Sequence, residues 1–316
     1  KQYWEGYTKD HVIITVGAME GLFLAMMTLL DPGDEILVPD PCFPNYYGQA
    51  SSIGARAVPV PTYEEYDYRI QAADIEKTVT PRTRAILLNS PCNPTGAVLT
   101  KEDILAIAKV AKTHDLWVLT DEPYDAIVYD GIQPYSMAQV PEMQDRVMVL
   151  NSFSKSYAMT GWRIGYIAAP ANITKVIGNY LGHCTGSPSA ISQKAALAAL
   201  TAPQDQVETM RQAFEERRNY MVQRMNQIEG ISCIKPEGAF YVMMNVEKIV
   251  GKELFGQVIH SDNEFASLFL KYGKVAVVPG SGFGAPNFIR WSYAASMDNI
   301  KAGLDRLEMF LQGKAV

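Results

Sequence analysis

The stretch that decides the fold is Val147-Met-Val-Leu-Asn151-Ser-Phe-Ser-Lys155-Ser-Tyr-Ala-Met-Thr-Gly-Trp-Arg163-Ile-Gly165-Tyr-Ile-Ala168. Two short apolar runs, Val147–Asn151 and Arg163–Ala168, bracket a polar loop and read as strands. Ser152, Ser154 and Lys155 leave the first run directly, and Arg163 follows eight residues after the lysine, behind a glycine. An amine that can lose its proton attacks carbonyls and forms a Schiff base. A guanidinium fork and a pair of hydroxyls are what a phosphate dianion needs. On composition alone a solvated surface lysine is the default, so the stretch needs company before it means chemistry.

Company comes from both sides. Asn89-Ser-Pro-Cys-Asn93-Pro-Thr-Gly96 follows an apolar run at Arg84–Asn89, and its prolines and glycine restrict the backbone that presents Asn93. Thr120-Asp121-Glu-Pro-Tyr124 follows the run Trp117–Asp121 and brings Asp121 and Tyr124 to the same strand edge. Alone, the first is a plain turn and the second a helix cap. Val16-Gly17-Ala18-Met19-Glu20 precedes a helical pattern at Glu20–Leu30, so its free backbone N–H groups can receive an anion. In Pro39-Asp-Pro-Cys-Phe43-Pro-Asn-Tyr46 the aromatic at Phe43 reads either as core packing or as a ring platform. Arg290 stands between Ile289 and Trp291, an expensive place for a guanidinium unless an anion meets it. That anion is a ligand carboxylate or a structural acid.

The surrounding pattern is a repeated strand followed by a helix. Further strands are expected at Glu35–Val38 and Arg56–Val60, and helices at Glu102–Thr113, Ile173–Leu181, Ala190–Leu200 and Gln204–Gln227. Short, nearly continuous apolar strands alternating with amphipathic helices predict an α/β fold: a mostly parallel sheet with helices on both faces. Ligands of such sheets sit at the carboxyl ends of the strands. Beyond the long polar helix the pattern becomes α+β, with strands at Ala239–Val246, Val275–Pro279 and Phe288–Tyr293 and helices at Asn263–Tyr272 and Met297–Leu311. This gives a large domain over residues 1–215 and a small one over 216–316. The chain has 316 residues, enough for two domains at roughly 150 each.

Composition removes several classes. With 28 basic against 34 acidic side chains and no basic block, the chain lacks the electrostatic footprint of a nucleic-acid binder. Its longest apolar run, Gly21 to Leu30, is too short to span a bilayer. Cys42, Cys92, Cys184 and Cys233 show neither metal spacing nor a disulfide pattern, and the four histidines are scattered. No metal site is expected, and the cysteine usage points to the cytoplasm.

In this order and spacing, the three loop segments resemble the fold-type-I pyridoxal-phosphate enzymes, specifically the class I/II aminotransferases and their aspartate/aromatic branch. The likeness runs from Val12 to about Leu311, and the Ser-x-Ser-Lys…Met-x-Gly-Trp-Arg-x-Gly stretch is its most specific part. The resemblance implies pyridoxal 5′-phosphate as cofactor, held by Lys155 through a Schiff base. Lys155 then moves the substrate's α-proton as an acid–base group. Asp121 pairs with the pyridinium nitrogen so that the ring accepts electrons. Tyr124 and Asn93 hydrogen-bond the cofactor's phenolic oxygen, Phe43 stacks on its ring, and Ser152, Ser154 and Arg163 hold its phosphate with the turn Gly17, Ala18 and Met19. Many relatives carry a hydroxyl in that turn, whereas Ala18 and Met19 offer only backbone amides. Arg290 and Asn93 receive the substrate carboxylate. The turn Lys235-Pro-Glu-Gly-Ala-Phe-Tyr241 is matched as structure only.

The implied activity is ping-pong transfer of an amino group from an L-amino acid, whether aspartate, aromatic or neutral, to a 2-oxo acid. The same motifs resemble those of C–S lyases and cyclopropane-carboxylate synthases of this fold type. An aminotransferase-like effector domain of a transcription regulator is a further alternative. Some aspartate-using members place a lysine in the phosphate turn; that position here is Met19, which leaves dicarboxylate specificity unsupported. The family usually forms homodimers in which a tyrosine crosses to the partner's site from well upstream of the phosphate turn. Neither Tyr3 nor Tyr7 lies far enough back to match, and residue 1 is Lys, so the resemblance implies an N-terminally shortened chain.

Overall fold

The computed structural model describes residues 6–316; Lys1 and Tyr3 lie outside them. The strands are β1 (Val12–Thr15), β2 (Glu35–Asp40), β3 (Arg56–Pro61), β4 (Thr83–Asn89), β5 (Trp117–Asp121), β6 (Val147–Ser152), β7 (Gly165–Ala168), β8 (Tyr241–Asn245), β9 (Glu253–Leu254), β10 (Gln257–Val258), β11 (Val278–Pro279) and β12 (Phe288–Ser292). The helices are α1 (Gly17–Leu29), α2 (Asn45–Ser52), α3 (Ala72–Thr78), α4 (Lys101–Thr113), α5 (Phe153–Ser156), α6 (Ala171–Cys184), α7 (Ala190–Thr201), α8 (Asp205–Met225), α9 (Asp262–Leu268) and α10 (Met297–Leu311).

Seven strands form one sheet in the order β1-β7-β6-β5-β4-β2-β3. Only β7 runs against the others, pairing antiparallel with both β1 and β6. The inner strands are apolar on both faces because both faces are covered: every position of β6 and all but the first of β5 are buried. One core packs Leu37, Ile86 and Val118 against α4, and a second packs Ile36, Leu87 and Leu119 against α1. α4 shows how locally this is written. Thr100 and Asp103 close a reciprocal cap at its start, and Ile104, Ile107, Ala108 and Ala111 form the buried stripe. Burying one such Leu or Ile is worth roughly 1.5–3 kcal/mol.

A smaller C-terminal domain is built on the antiparallel sheet β11-β12-β8, with α10 packed over it. Its core runs into the loop after β5, since Tyr124, Ile127 and Tyr129 belong to the same cluster as Val242, Ile289 and Leu304. α8 is continuous through residue 215. On it, Arg218 is fully buried and its Nη atoms donate to both oxygens of Asp130, at 2.8 and 3.0 Å, and to the Pro236 carbonyl at 2.8 Å.

Several expected boundaries move, each for a visible reason. β7 begins at Gly165, because Arg163 takes a left-handed φ of 49° that no strand accommodates. A side chain at Gly165 would press on the Asn151 carbonyl and on the Gly17–Ala18 backbone, so only glycine lets β7 start there. The strand expected at 239–246 shortens to β8, since Ala239 has φ 58° and closes a turn. The run Val275–Pro279 keeps only two paired residues. The helix expected to reach Tyr272 ends as α9 at Leu268 and continues as a π-helical turn over Phe269–Gly273. β1, α2, α3 and the β9–β10 hairpin stand where no element is expected from the pattern.

Candidate active site

Strand register brings the three loops together. Asn89 pairs with Asp121 across β4 and β5, Asp121 with Leu150 across β5 and β6, and Ser152 with Gly165 across β6 and β7. The carboxyl ends of β4, β5 and β6 open into a cavity of about 330 Å³. Its walls carry Ala18, Met19, Phe43, Asn93, Asp121, Tyr124, Ser152, Ser154, Lys155, Arg163 and Arg290. Gly17 lies directly behind the wall. The walls also hold residues that sequence reading leaves out: Leu22, Tyr46, Asn89, Pro123, Thr160 and Tyr241.

One end of the cavity is an anion cradle. α1 starts without a side-chain cap, and the first-turn amides of Gly17, Ala18 and Met19 have no carbonyl behind them in the helix. Glu20, the acid in this turn, is engaged elsewhere: its carboxylate accepts from the Val16 amide at 2.6 Å and from the Thr185 hydroxyl at 2.7 Å. Gly17 has φ +74°, and a Cβ there would lie 2.7 Å from the Arg163 guanidinium. The arginine is thus folded over the helix start, its Nη1 donating to the Thr160 carbonyl at 2.9 Å. Ser152 donates to the Ser154 hydroxyl at 2.9 Å beside it. Hydroxyls, amides and a guanidinium converge as a phosphate requires.

At the base stands Asp121. Tyr46 donates to its Oδ2 at 2.8 Å, while Oδ1 is buried with no partner among the described residues. Burial pushes this carboxyl up to about 6, against the pull of the Tyr46 hydroxyl and the Lys155 charge. An orphaned carboxylate oxygen facing a cavity fits a cationic N–H that arrives with a ligand. Lys155 enters from α5, its amine over the ring faces of Tyr124 and Phe240 at 5.9 and 5.7 Å. Burial lowers its pKa, and the positive charges of Arg163 and Arg290 lower it further while Asp121 opposes them.

The opposite wall belongs to the C-terminal domain. Arg290 on β12 donates from Nη1 to Asn93 Oδ1 at 2.8 Å, a contact spanning 197 residues of sequence. Its guanidinium lies between the rings of Tyr241 and Phe283, at 4.4 and 4.5 Å, and its Nε is buried without a partner among the described residues. The other nitrogens remain for a carboxylate. Asn93 is itself held by its amide, which donates to Asn89 Oδ1 at 2.8 Å, and Asn89 Nδ2 donates to the Asp121 carbonyl. Tyr241, matched from sequence as structure only, shares a 3.0 Å hydroxyl contact with Tyr124. Its signal was the quoted motif itself, which ends on it.

The chemistry these walls support is divided: an anion cradle, an amine with a lowered proton affinity, a carboxylate awaiting a cation, and a separate arginine. Pyridoxal phosphate carries a phosphate, an aldehyde and a ring nitrogen that would match the first three, and a substrate's carboxylate would match the fourth. The residues fit the cofactor, and the fold is that of the fold-type-I pyridoxal-phosphate transferases.

Comparison with known proteins agrees. The aminotransferase class I and II family matches residues 2–307. An aspartate aminotransferase of Geobacillus stearothermophilus is 39% identical over 310 residues, covering 98% of this chain and 78% of that one. Aromatic-amino-acid aminotransferase 2 of Thermococcus litoralis is 40% identical and covers 97% of this chain and 77% of that one. The crystal structure of the Rhizobium meliloti aspartate aminotransferase superposes with a TM-score of 0.94 at 38% identity, covering 98% of this chain and 78% of that one. The chain belongs to the class I and II aminotransferase family, and it is a pyridoxal-phosphate-dependent aminotransferase acting on amino and oxo acids. The relatives favour transamination over the lyase and regulator readings.

Among the described residues, no group of His, Cys, Asp or Glu could hold a metal ion, and no helix is long and apolar enough to cross a membrane.

Proposed function

We propose that this aminotransferase moves the amino group of an L-amino acid, drawn from the aspartate, aromatic and neutral group, to a 2-oxo acid, with the residue roles that follow. The observation that carries the proposal is that one cavity is lined by both Lys155 and Asp121, whose Oδ1 has no partner among the described residues. Pyridoxal phosphate, when bound, supplies the aldehyde that captures the amine and the ring that takes up the substrate's electron pair.

Ser152, Ser154, Arg163 and the α1 amides of Gly17, Ala18 and Met19 bind the phosphate. Phe43 forms the ring platform. Asp121 Oδ1 accepts the ring N–H and holds that proton in place. The hydroxyl of Tyr124, steadied by Tyr241, and the Asn93 side chain face the phenolic oxygen. Arg290 receives the α-carboxylate, with Asn93 fixing one edge of its fork. Lys155 takes the α-proton as a base and returns it as an acid, which requires an amine near neutrality at working pH. Its lowered pKa serves that need.

We also propose a cytoplasmic homodimer, with the large unit over residues 1–215 and the small one over 216–316. Exposed apolar side chains on α7 support a partner surface: Ile191, Leu197 and Leu200 are 74%, 53% and 56% exposed. Light scattering of the purified chain checks the dimer.

The activity test is direct. Lys155→Ala should abolish both cofactor capture and glutamate formation from 2-oxoglutarate across a panel of amino donors. Near-parental turnover by that variant would remove Lys155 from its role. The same panel, scored as kcat/KM, ranks the donors.

A further inference from the structure

We propose that Tyr46 is a positioning residue of this reaction: its hydroxyl holds Oδ2 of Asp121 so that Oδ1 alone faces the cofactor's ring nitrogen. The proposal rests on the reading of Asp121 given above and extends it to a side chain with no assigned part.

Tyr46 lies on α2 and is fully buried, with its hydroxyl 2.8 Å from Asp121 Oδ2. The terminal torsion of an aspartate is broad and nearly two-fold, so a carboxylate with two equivalent oxygens has no fixed orientation of its own. A single donor on one oxygen removes that equivalence. Tyr46 also meets the ring of Phe43 edge-on, centroids 5.8 Å apart at 82°. One buried tyrosine therefore touches both the residue that faces the ring's nitrogen and the residue that faces its plane.

The surroundings keep Tyr46 a donor. Burial and the Asp121 charge raise its pKa well above the ordinary tyrosine value, so it stays protonated wherever the enzyme works. The other titratable groups that sense Asp121 are Lys155 from the loop after β6, the Tyr124 hydroxyl after β5, and the Cys92 thiol after β4. Burial pushes Cys92 and Tyr124 upward, which leaves both neutral. Lys155 is the one cation among them, and its amine is committed to the cofactor aldehyde. Without the Tyr46 hydroxyl, Asp121 would hold its proton to higher pH, and a neutral carboxyl does not stabilise a ring N–H cation.

The test uses Tyr46→Phe, which keeps the ring and its packing, with Asp121→Asn and the double variant. Dissociation constants for pyridoxal phosphate are measured from pH 5 to 9, together with the absorption spectrum of each loaded protein and the affinity for inorganic phosphate. Tyr46→Phe should weaken cofactor binding at neutral pH by roughly ten- to a hundredfold, the range expected for a hydrogen bond to a charged group. Its affinity should also begin to fall at a higher pH than in the parent. The phosphate and Lys155 titrate in both proteins, so the difference isolates the carboxylate. Phosphate affinity should be unchanged, and adding Tyr46→Phe to Asp121→Asn should cost nothing more. Unaltered cofactor affinity and pH profile in Tyr46→Phe, with Asp121→Asn still weakened, would overturn the role of Tyr46 alone. Additive losses in the double variant would reduce Tyr46 to packing and also overturn it. If Asp121→Asn binds the cofactor like the parent, the reading of Asp121 fails and this proposal falls with it.

Discussion

The two roles proposed for Arg290 can be separated by one substitution. Its fork is pinned by Asn93 and clamped between Tyr241 and Phe283, so it is set for a carboxylate before substrate arrives. Its charge also lowers the proton affinity of Lys155. Arg290→Gln should therefore raise KM for amino donors by roughly ten- to a hundredfold, the worth of a charge-assisted hydrogen bond. It should also move the pH at which the cofactor-free protein captures pyridoxal phosphate upward, because removing a nearby positive charge favours the ammonium form of Lys155. Stopped-flow capture rates against pH, beside steady-state KM, check both. A midpoint shifted to lower pH would contradict the electrostatic part, and an unchanged KM the binding part. Much at this scale is legible in sequence, since Asp121, Ser152 and Lys155 sit where apolar runs end. What is not legible is pairing at a distance. Tyr46 meets Asp121 across 75 residues and Arg290 meets Asn93 across 197, and no local pattern records either.

At the scale of elements, the turn over residues 235–241 joins the two parts of the site. Glu237 and Gly238 both donate their amides to the Gly96 carbonyl, at 3.0 and 2.9 Å, and Ala239 donates to the Ile127 carbonyl at 2.9 Å. The loop that presents Asn93 and the loop that follows Tyr124 are thus tied to one segment, which leads straight into β8 and Tyr241. Arg218 secures the same segment from α8 by its bond to the Pro236 carbonyl. Gly96 is the tight point, with φ +74°; a Cβ there would collide with Pro236 Cβ and lie 2.9 Å from the Gly238 carbonyl. Gly96→Ala should destabilise the protein by about 2–4 kcal/mol, combining left-handed strain with overpacking. It should also lower kcat, because the Asn93 loop and the Tyr241 turn are forced apart. Urea unfolding and steady-state kinetics check this; a variant with parental stability would show that the two loops yield easily. The elements themselves are unevenly legible. β5 and β6 are buried along their length and read as unbroken apolar runs. α2 buries only Tyr46 and Ala50 in two turns behind a proline, too little periodicity to mark a helix, and the helix that holds Tyr46 goes unseen with it.

For the whole molecule, the cavity between the seven-stranded sheet and the C-terminal domain places the Asp121 carboxylate in the interior with one oxygen unpaired among the described residues. Carrying the Asp121 carboxyl from its ordinary 3.8 to about 6 costs about 3 kcal/mol when it is ionised in the cofactor-free cavity. Between those two values the folded protein without cofactor binds more protons than the unfolded chain. The contribution of Asp121 to stability therefore falls as pH rises through that window, whereas a carboxylate whose pKa is lowered by folding behaves in the opposite way. Glu35, with hydroxyl and guanidinium partners, is of the second kind, as are Asp130 and Glu215. Raw stability against pH thus mixes both signs, and the difference between parent and Asp121→Asn separates them. Measured on cofactor-free protein by urea unfolding, Asp121→Asn should gain on the parent by about 3 kcal/mol between pH 4 and pH 7. Saturating pyridoxal phosphate should reverse the order above pH 6, since the ring cation then offsets the charge in the parent and has no anion to meet in the variant. A difference between the two proteins that stays constant from pH 4 to pH 7 would mean that Asp121 is solvated or already meets a cation, and the division of labour drawn for the cavity would fail at its base.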